Sequence, residues 1–241
     1  MNWYIIRLVL FFSLFLSSAA YGFNVPERLE FGLDWVGINA GSAVLKINNS
    51  DGTFVIELRA VSNKFISFFY RVDDRVKCIV DGDHGKFGYS INYRLKSREG
   101  RHRKDKEVAF DQAAGKAVYM DHKKGSRSEY GIPGNTYDPL SAFYYVRRLD
   151  LKVGIPVNVN VFDSKKMWNV KVQVLRREKV KVPAGVFDTI VIKPILKSEG
   201  IFRRKGAIYI WLTNDGRNIP VKLKTKAPIG YITAELTGGN Y

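Results

Sequence analysis

The side chains in this sequence that could do acid–base, nucleophilic or metal chemistry are three histidines, one cysteine and scattered aspartates and serines. A zinc site needs two ligands presented together, as H-E-x-x-H does on a helix. His84, His102 and His122 offer no such pair. His84 follows Asp83 and His122 follows Asp121, and neighbours in a strand point to opposite faces. The hydrolase elbow G-x-S-x-G is absent, and Ser126 and Ser128 lie in basic loop sequence without an evident base. Asp34, Asp138 and Asp215 could bring carboxylates to one cleft for glycoside chemistry, but a helix cap accounts for Asp138 and a turn for Asp215. Gly82, Gly85 and Gly88 are too scattered to cradle a phosphate. The sequence therefore assigns no catalytic residue, cofactor or metal ligand.

If chemistry does not organise the chain, a helix does. Asp138 can cap a helix with its carboxylate, and Pro139 suits the first helical position, where its missing donor costs nothing. Leu140, Phe143 and Tyr144 share a face, extended by Arg147, and Arg147 and Arg148 place positive charge in the last turn. Gly154-Ile155-Pro156 stops any continuation. The spacing predicts a helix of about three turns. At that length it needs tertiary support, so its aromatic face must rest on a sheet.

The rest reads as strands and turns. Leu29, Phe31, Leu33 and Trp35 alternate, as do Ala43, Leu45 and Ile47, and Asn48 to Gly52 is a strong turn signal. Phe87, Tyr89, Ile91, Tyr93 and Leu95 are expected on one face of a strand, with Arg94 and Lys96 on the other. A hairpin with a basic tip follows, and Asp121 to Ser128 reads as a polar, flexible segment. Val157, Val159 and Val161 pair with the strand from Trp168 to Val174. Ala207 to Thr213 is apolar almost throughout, as in a strand covered on both faces. The sum is roughly eleven strands and one firm helix. A sheet of that size must curl, split or close. The expected fold is mainly β: a strongly curved antiparallel sheet, or incomplete β-barrel, with one short packed helix.

Residues 1–20 combine Arg7, an apolar run from Leu8 to Leu16 and small residues at Ser18 and Ala20, the pattern of a cleaved signal peptide. Residues 21–241 then form a single β domain, with two subdomains meeting near 130–156 as the alternative. Export to the periplasm is the expected destination. Cys78 is the only cysteine, so no intramolecular disulfide can form, and its apolar neighbours Val76, Ile79 and Val80 predict a buried thiol. Lys and Arg outnumber Asp and Glu by 39 to 23, a net charge of +16. Such an excess favours anionic surfaces. Arg94, Lys96, Arg101 and Arg103 lie among Tyr89 and Tyr93, but on a strand the rings face away from the charges. With export added, an anionic membrane surface is a better partner than nucleic acid.

Four segments carry a family resemblance: Gly37-Ile38-Asn39-Ala40-Gly41 after an aromatic strand; Asp138-Pro139-Leu140-Ser141; Val182-Pro183-Ala184-Gly185-Val186-Phe187; and Ile210 to Arg217 leading into Ile219-Pro220-Val221. Together they resemble the DUF3108 group of exported bacterial proteins across most of the mature chain. The resemblance supplies no catalytic residues. It implies a shape similar to envelope proteins that fold a curved sheet around an apolar cavity, as lipoprotein carriers do.

The functional expectation is a non-catalytic binding or carrier protein for an apolar or amphipathic envelope component. Phe143, Tyr144, Trp168, Tyr209 and Trp211 are the candidate cavity-facing, ligand-binding residues. The competing reading is that these rings fill a solid core. The alternative functions are an envelope scaffold that binds a protein partner through basic faces at Arg94–Lys106 and Arg203–Lys205, and a hydrolase acting on lipid or glycan.

Overall fold

A computed structural model describes residues 22–82, 86–163, 165–195, 207–226 and 230–241. The signal peptide expected at 1–20, His84 and the basic segment around Arg203–Lys205 lie outside the described residues. The first half runs β1 (Glu27–Trp35), β2 (Ile38–Ser50), β3 (Thr53–Ser62), α1 (Lys64–Tyr70), β4 (Val72–Asp81), β5 (Ser90–Glu99), β6 (His102–Asp111), β7 (Lys116–Asp121) and β8 (Ser126–Gly131). The second half runs α2 (Pro139–Arg147), β9 (Val157–Asp163), β10 (Lys166–Val182), β11 (Gly185–Ile195), β12 (Ile208–Thr213), β13 (Pro220–Lys226) and β14 (Tyr231–Asn240). Fourteen described strands replace the eleven expected. Part of the difference is β8, which pairs Ser126 with Asp121 and Ser128 with Tyr119. Its polar sequence looks like loop, but an edge strand open to solvent needs no apolar alternation.

All fourteen strands form one antiparallel sheet in the order β8-β7-β6-β5-β4-β3-β2-β1-β14-β13-β12-β11-β10-β9. The two halves of the chain join where β1 pairs with β14. Bulges at Glu30/Phe31, Leu33/Asp34, Val174/Arg176 and Trp211/Leu212 interrupt the ladders and sharpen the twist. The sheet curls without closing. Its edges are stitched by the segment ahead of α2: Tyr137 N–H donates to Asn160 O at 2.9 Å, and Phe162 N–H donates to Tyr137 O at 2.8 Å. Phe162 packs across this seam on Phe110 and Tyr130. The tip of the β10–β11 hairpin also folds back, with Ala184 N–H bonded to Leu236 O.

Because neighbouring strands are antiparallel, every connection falls at one of two ends. The turns Asp51–Gly52, 112–115, Pro183–Ala184 and 214–218 share one end. The turns Val36–Gly37 and Gly100–Arg101, the helix α1, the end of β13 at Lys226 and the start of β14 at Tyr231 share the other. α2 stoppers the first end.

The register of β5 departs from expectation. A bulge at Ile79/Val80 pairs Cys78 with Tyr93 but Val80 with Ser90. Ser90 therefore turns inward and is fully buried, while Tyr89 and Ile91 are exposed. One extra residue in a strand moves the side chains next to it along the ladder to the other face.

Candidate functional site

The site is built on α2, which is tied down at both ends. At its start, Asp138 Oδ1 accepts the backbone N–H groups of Leu140 and Ser141 at 2.9 and 3.0 Å and the Cys78 thiol at 3.1 Å. Asp138 Oδ2 accepts the hydroxyls of Ser90, at 2.7 Å, and Ser141. The carboxylate is fully buried and meets five donors. Burial, then the neighbouring Asp138 charge, pushes the Cys78 thiol well above its ordinary range. Burial and the same charge raise Tyr93. A saturated carboxylate beside a neutral thiol has neither a spare acceptor nor a nucleophile to offer, so this cluster is a clamp.

At the other end of α2, Arg147 donates from Nη1 and Nη2 to Glu27 at 2.8 and 2.6 Å, and from Nε to Asn218 O at 2.9 Å. Its guanidinium lies over the rings of Tyr144 and Phe23. The Tyr144 hydroxyl donates to the same Glu27 at 3.2 Å, and burial raises that hydroxyl well above its usual range. Asn218 donates back to Arg147 O. Asp138 was legible as a cap. The buried role of Arg147 was not, because its partner lies at the start of β1.

Between this anchored helix and the concave sheet lies a cavity of about 330 Å³. That is at the small end of the range for ligand sites and holds roughly ten water-sized groups. Every second residue supplies its wall, as strand geometry requires: Val159 and Val161 of β9, Val170 and Val172 of β10. Ile192, Ile210, Phe31 and Leu45 complete the deep part, and Ala142, Phe143 and Leu140 of α2 form the base. The lining is almost wholly apolar, and its charged members are Asp163 and Lys222. Half-exposed lining residues on the strands, Leu58, Trp168, Ile208, Leu223 and Ala234, run from mid-sheet toward the end away from the anchors of α2, and Pro139, Leu140 and Phe143 at the α2 end are half-exposed as well.

Of the five residues expected to face a cavity, Phe143 and Trp168 line it. Tyr144, Tyr209 and Trp211 do not. Tyr144 turns to the opposite side of α2, into the Glu27–Arg147 pair. On β12 the alternation gives the cavity Ile208 and Ile210 and sends Tyr209 and Trp211 to the other face of the sheet. There Trp211 Nε1–H donates to Glu178, and Lys193 and Lys222 lie over the two rings. Both faces of β12 are apolar, so its own pattern could not say which looks inward. Among the described residues no group of three or more His, Cys, Asp or Glu could hold a metal ion.

A strongly curved antiparallel sheet, stitched along one seam, lined by an apolar cavity and stoppered by one helix, defines a β-barrel-like protein. The crystal structure of a β-barrel-like protein of the DUF1849 group from Brucella abortus shares this fold. It is similar with a TM-score of 0.58 and 14% identity, over 90% of this chain and 97% of that one. The chain belongs to the family described as "Protein of unknown function (DUF3108)", matched over residues 30–237. Weaker likenesses extend to an exported protein with a YmcC-like fold from Bacteroides fragilis (TM-score 0.34, 10% identity, 92% of this chain and 98% of that one). A lipoprotein from Parabacteroides distasonis is similar at a TM-score of 0.33 and 10% identity, over 91% of this chain and 97% of that one. No curated protein matches the chain.

Proposed function

We propose that this protein is a non-catalytic carrier or binding protein of the bacterial periplasm, exported by its amino-terminal segment and holding an apolar or amphipathic envelope molecule. The observation that carries the reading is the apolar cavity between α2 and the sheet. A core of this size ordinarily fills to crystal-like density. Here a helix anchored by two fully buried polar networks stands off from the concave face. The near absence of polar lining favours an alkyl chain or small ring system, and Asp163 in the wall could meet its polar head. A volume of about 330 Å³ fits one short chain.

Lipid extraction of the purified protein followed by mass spectrometry, together with titration of a fluorescent fatty acid, tests the reading. A co-purifying amphiphile or saturable uptake is expected. Repeated absence of both would remove the carrier.

A further inference from the structure

The end of the sheet that carries α1 holds large apolar side chains in water. α1 buries none of its seven residues, and Phe65, Phe68 and Phe69 are 64%, 84% and 73% exposed. A short helix with Phe on its outer surface gains nothing from folding alone. Asn63 nevertheless holds it in place, capping Ile66 N–H at 2.9 Å and donating to Asn39 O at 2.7 Å. Beside it, the β1–β2 turn exposes Trp35, Val36 and Ile38. Val36 adopts φ +52°, a left-handed conformation that a β-branched residue rarely takes and that Asn or Gly would adopt at less cost. Tyr231 and Ile232, also exposed, join the turn through the ladder of β1 and β14. Three separated segments thus place exposed aromatic and branched side chains at the same end of the sheet.

Its surroundings are basic. Lys64, Arg71, Arg101 and Lys226 are exposed at this end and form no ion pair among the described residues. Of the acids nearby, Arg75 and Arg59 hold Asp73 and Lys104 holds Glu99, while Asp34, next to Trp35, is half-buried. Exposed aromatic rings within a basic rim match the boundary between acyl chains and anionic headgroups. Among the described residues no helix is long and apolar enough to cross a membrane, so this surface would lie on a bilayer.

We infer that the α1 end of the sheet docks on the surface of an anionic phospholipid bilayer, inserting Phe65, Phe68, Phe69 and the Trp35–Ile38 turn. The inference rests on the exposed surface and stands without the carrier reading.

The chain from residue 22 on holds every strand and helix described, and omits the apolar amino-terminal run that would bind vesicles by itself. It should co-float with vesicles of phosphatidylglycerol and phosphatidylcholine, more weakly at high salt, and bind pure phosphatidylcholine at least tenfold less. Phe68→Ser with Phe69→Ser should weaken anionic binding at least tenfold while leaving the melting temperature and fatty-acid titration unchanged. Lys64→Glu with Arg71→Glu should weaken binding to anionic vesicles alone, which keeps the test valid if the first variant folds poorly. Absence of wild-type flotation, equal binding by wild type and variants, or a concentration-dependent dimer that the Phe substitutions dissolve would overturn the inference.

Discussion

Arg147 and Glu27 form a two-bonded ion pair across 120 residues of chain, with both side chains shut away from solvent. This contact sets the helix that floors the cavity against the first strand of the sheet. Neither charge could be buried without the other, and Asn218 and Tyr144 satisfy what the pair leaves over. Arg147→Met should therefore destabilise the protein by about 3–5 kcal/mol, because it strands a buried carboxylate. Adding Glu27→Gln should restore part of that loss. Urea denaturation of the single and double variants measures both effects.

Asp138 combines a helix cap with a buried acceptor for Ser90 and Cys78. Losing the cap costs ~1 kcal/mol, and stranding buried donors adds ~1–3 kcal/mol. Asp138→Ala is expected to lower stability by about 3 kcal/mol in total. Asp138→Asn, which keeps one acceptor but brings an extra donor, should fall between the variant and wild type by the same denaturation assay.

The cavity separates residues that the sequence groups together. Under the carrier reading, Ala142→Phe should fill the cavity from α2 and cut fatty-acid affinity at least tenfold. Trp168→Ala, in the half-exposed part of the lining, should weaken it several-fold. Tyr209→Ala, on the other face of β12, should leave uptake unchanged. Fluorescence titration of the three variants tests the assignment of faces as well as the function.

Cys78 should be inert in the native protein. The thiolate is the reactive form, and burial and Asp138 hold the thiol neutral well above its ordinary range. A thiol reagent at pH 8 should label it only after denaturant is added. Rapid labelling of the native chain at that pH would show that the clamp around α2 opens readily.

Stability should fall in acid through carboxylates held by hydrogen bonds and charge. Burial tends to raise Glu107, but hydrogen bonds from Asn92 and His122 and the charge of Arg94 outweigh it and leave the group below its ordinary 4.5. A carboxylate lowered in the folded state contributes stability above the unfolded value and loses it as pH falls through the folded one. The Glu107 contribution should thus be fully present above about pH 4.5 and be lost progressively as the pH falls from there through the lower folded value. Glu107→Gln should flatten this part of the acid limb in thermal melts recorded from pH 6 to pH 3.

The sequence by itself determined the local features. Period-two alternation marked most strands, Asp138-Pro139 marked the start of α2, and apolar neighbours marked Cys78 as buried. It also determined that so many strands had to curl. These are properties of neighbouring residues, set by backbone geometry and short-range capping. Only the tertiary structure decided which faces look into the cavity. Tyr209 and Trp211 alternate with Ile208 and Ile210, and when both sides of a strand are apolar, curvature alone chooses the concave one. A single bulge beside Ser90 reversed the expected faces of Tyr89, Ser90 and Ile91 while Tyr93 kept its own. The burial of Arg147 depended on a carboxylate at the far end of the chain. The exposure of Phe68 and Phe69, which any apolar scale would place inside, followed from α1 standing at the rim of the sheet with no layer above it.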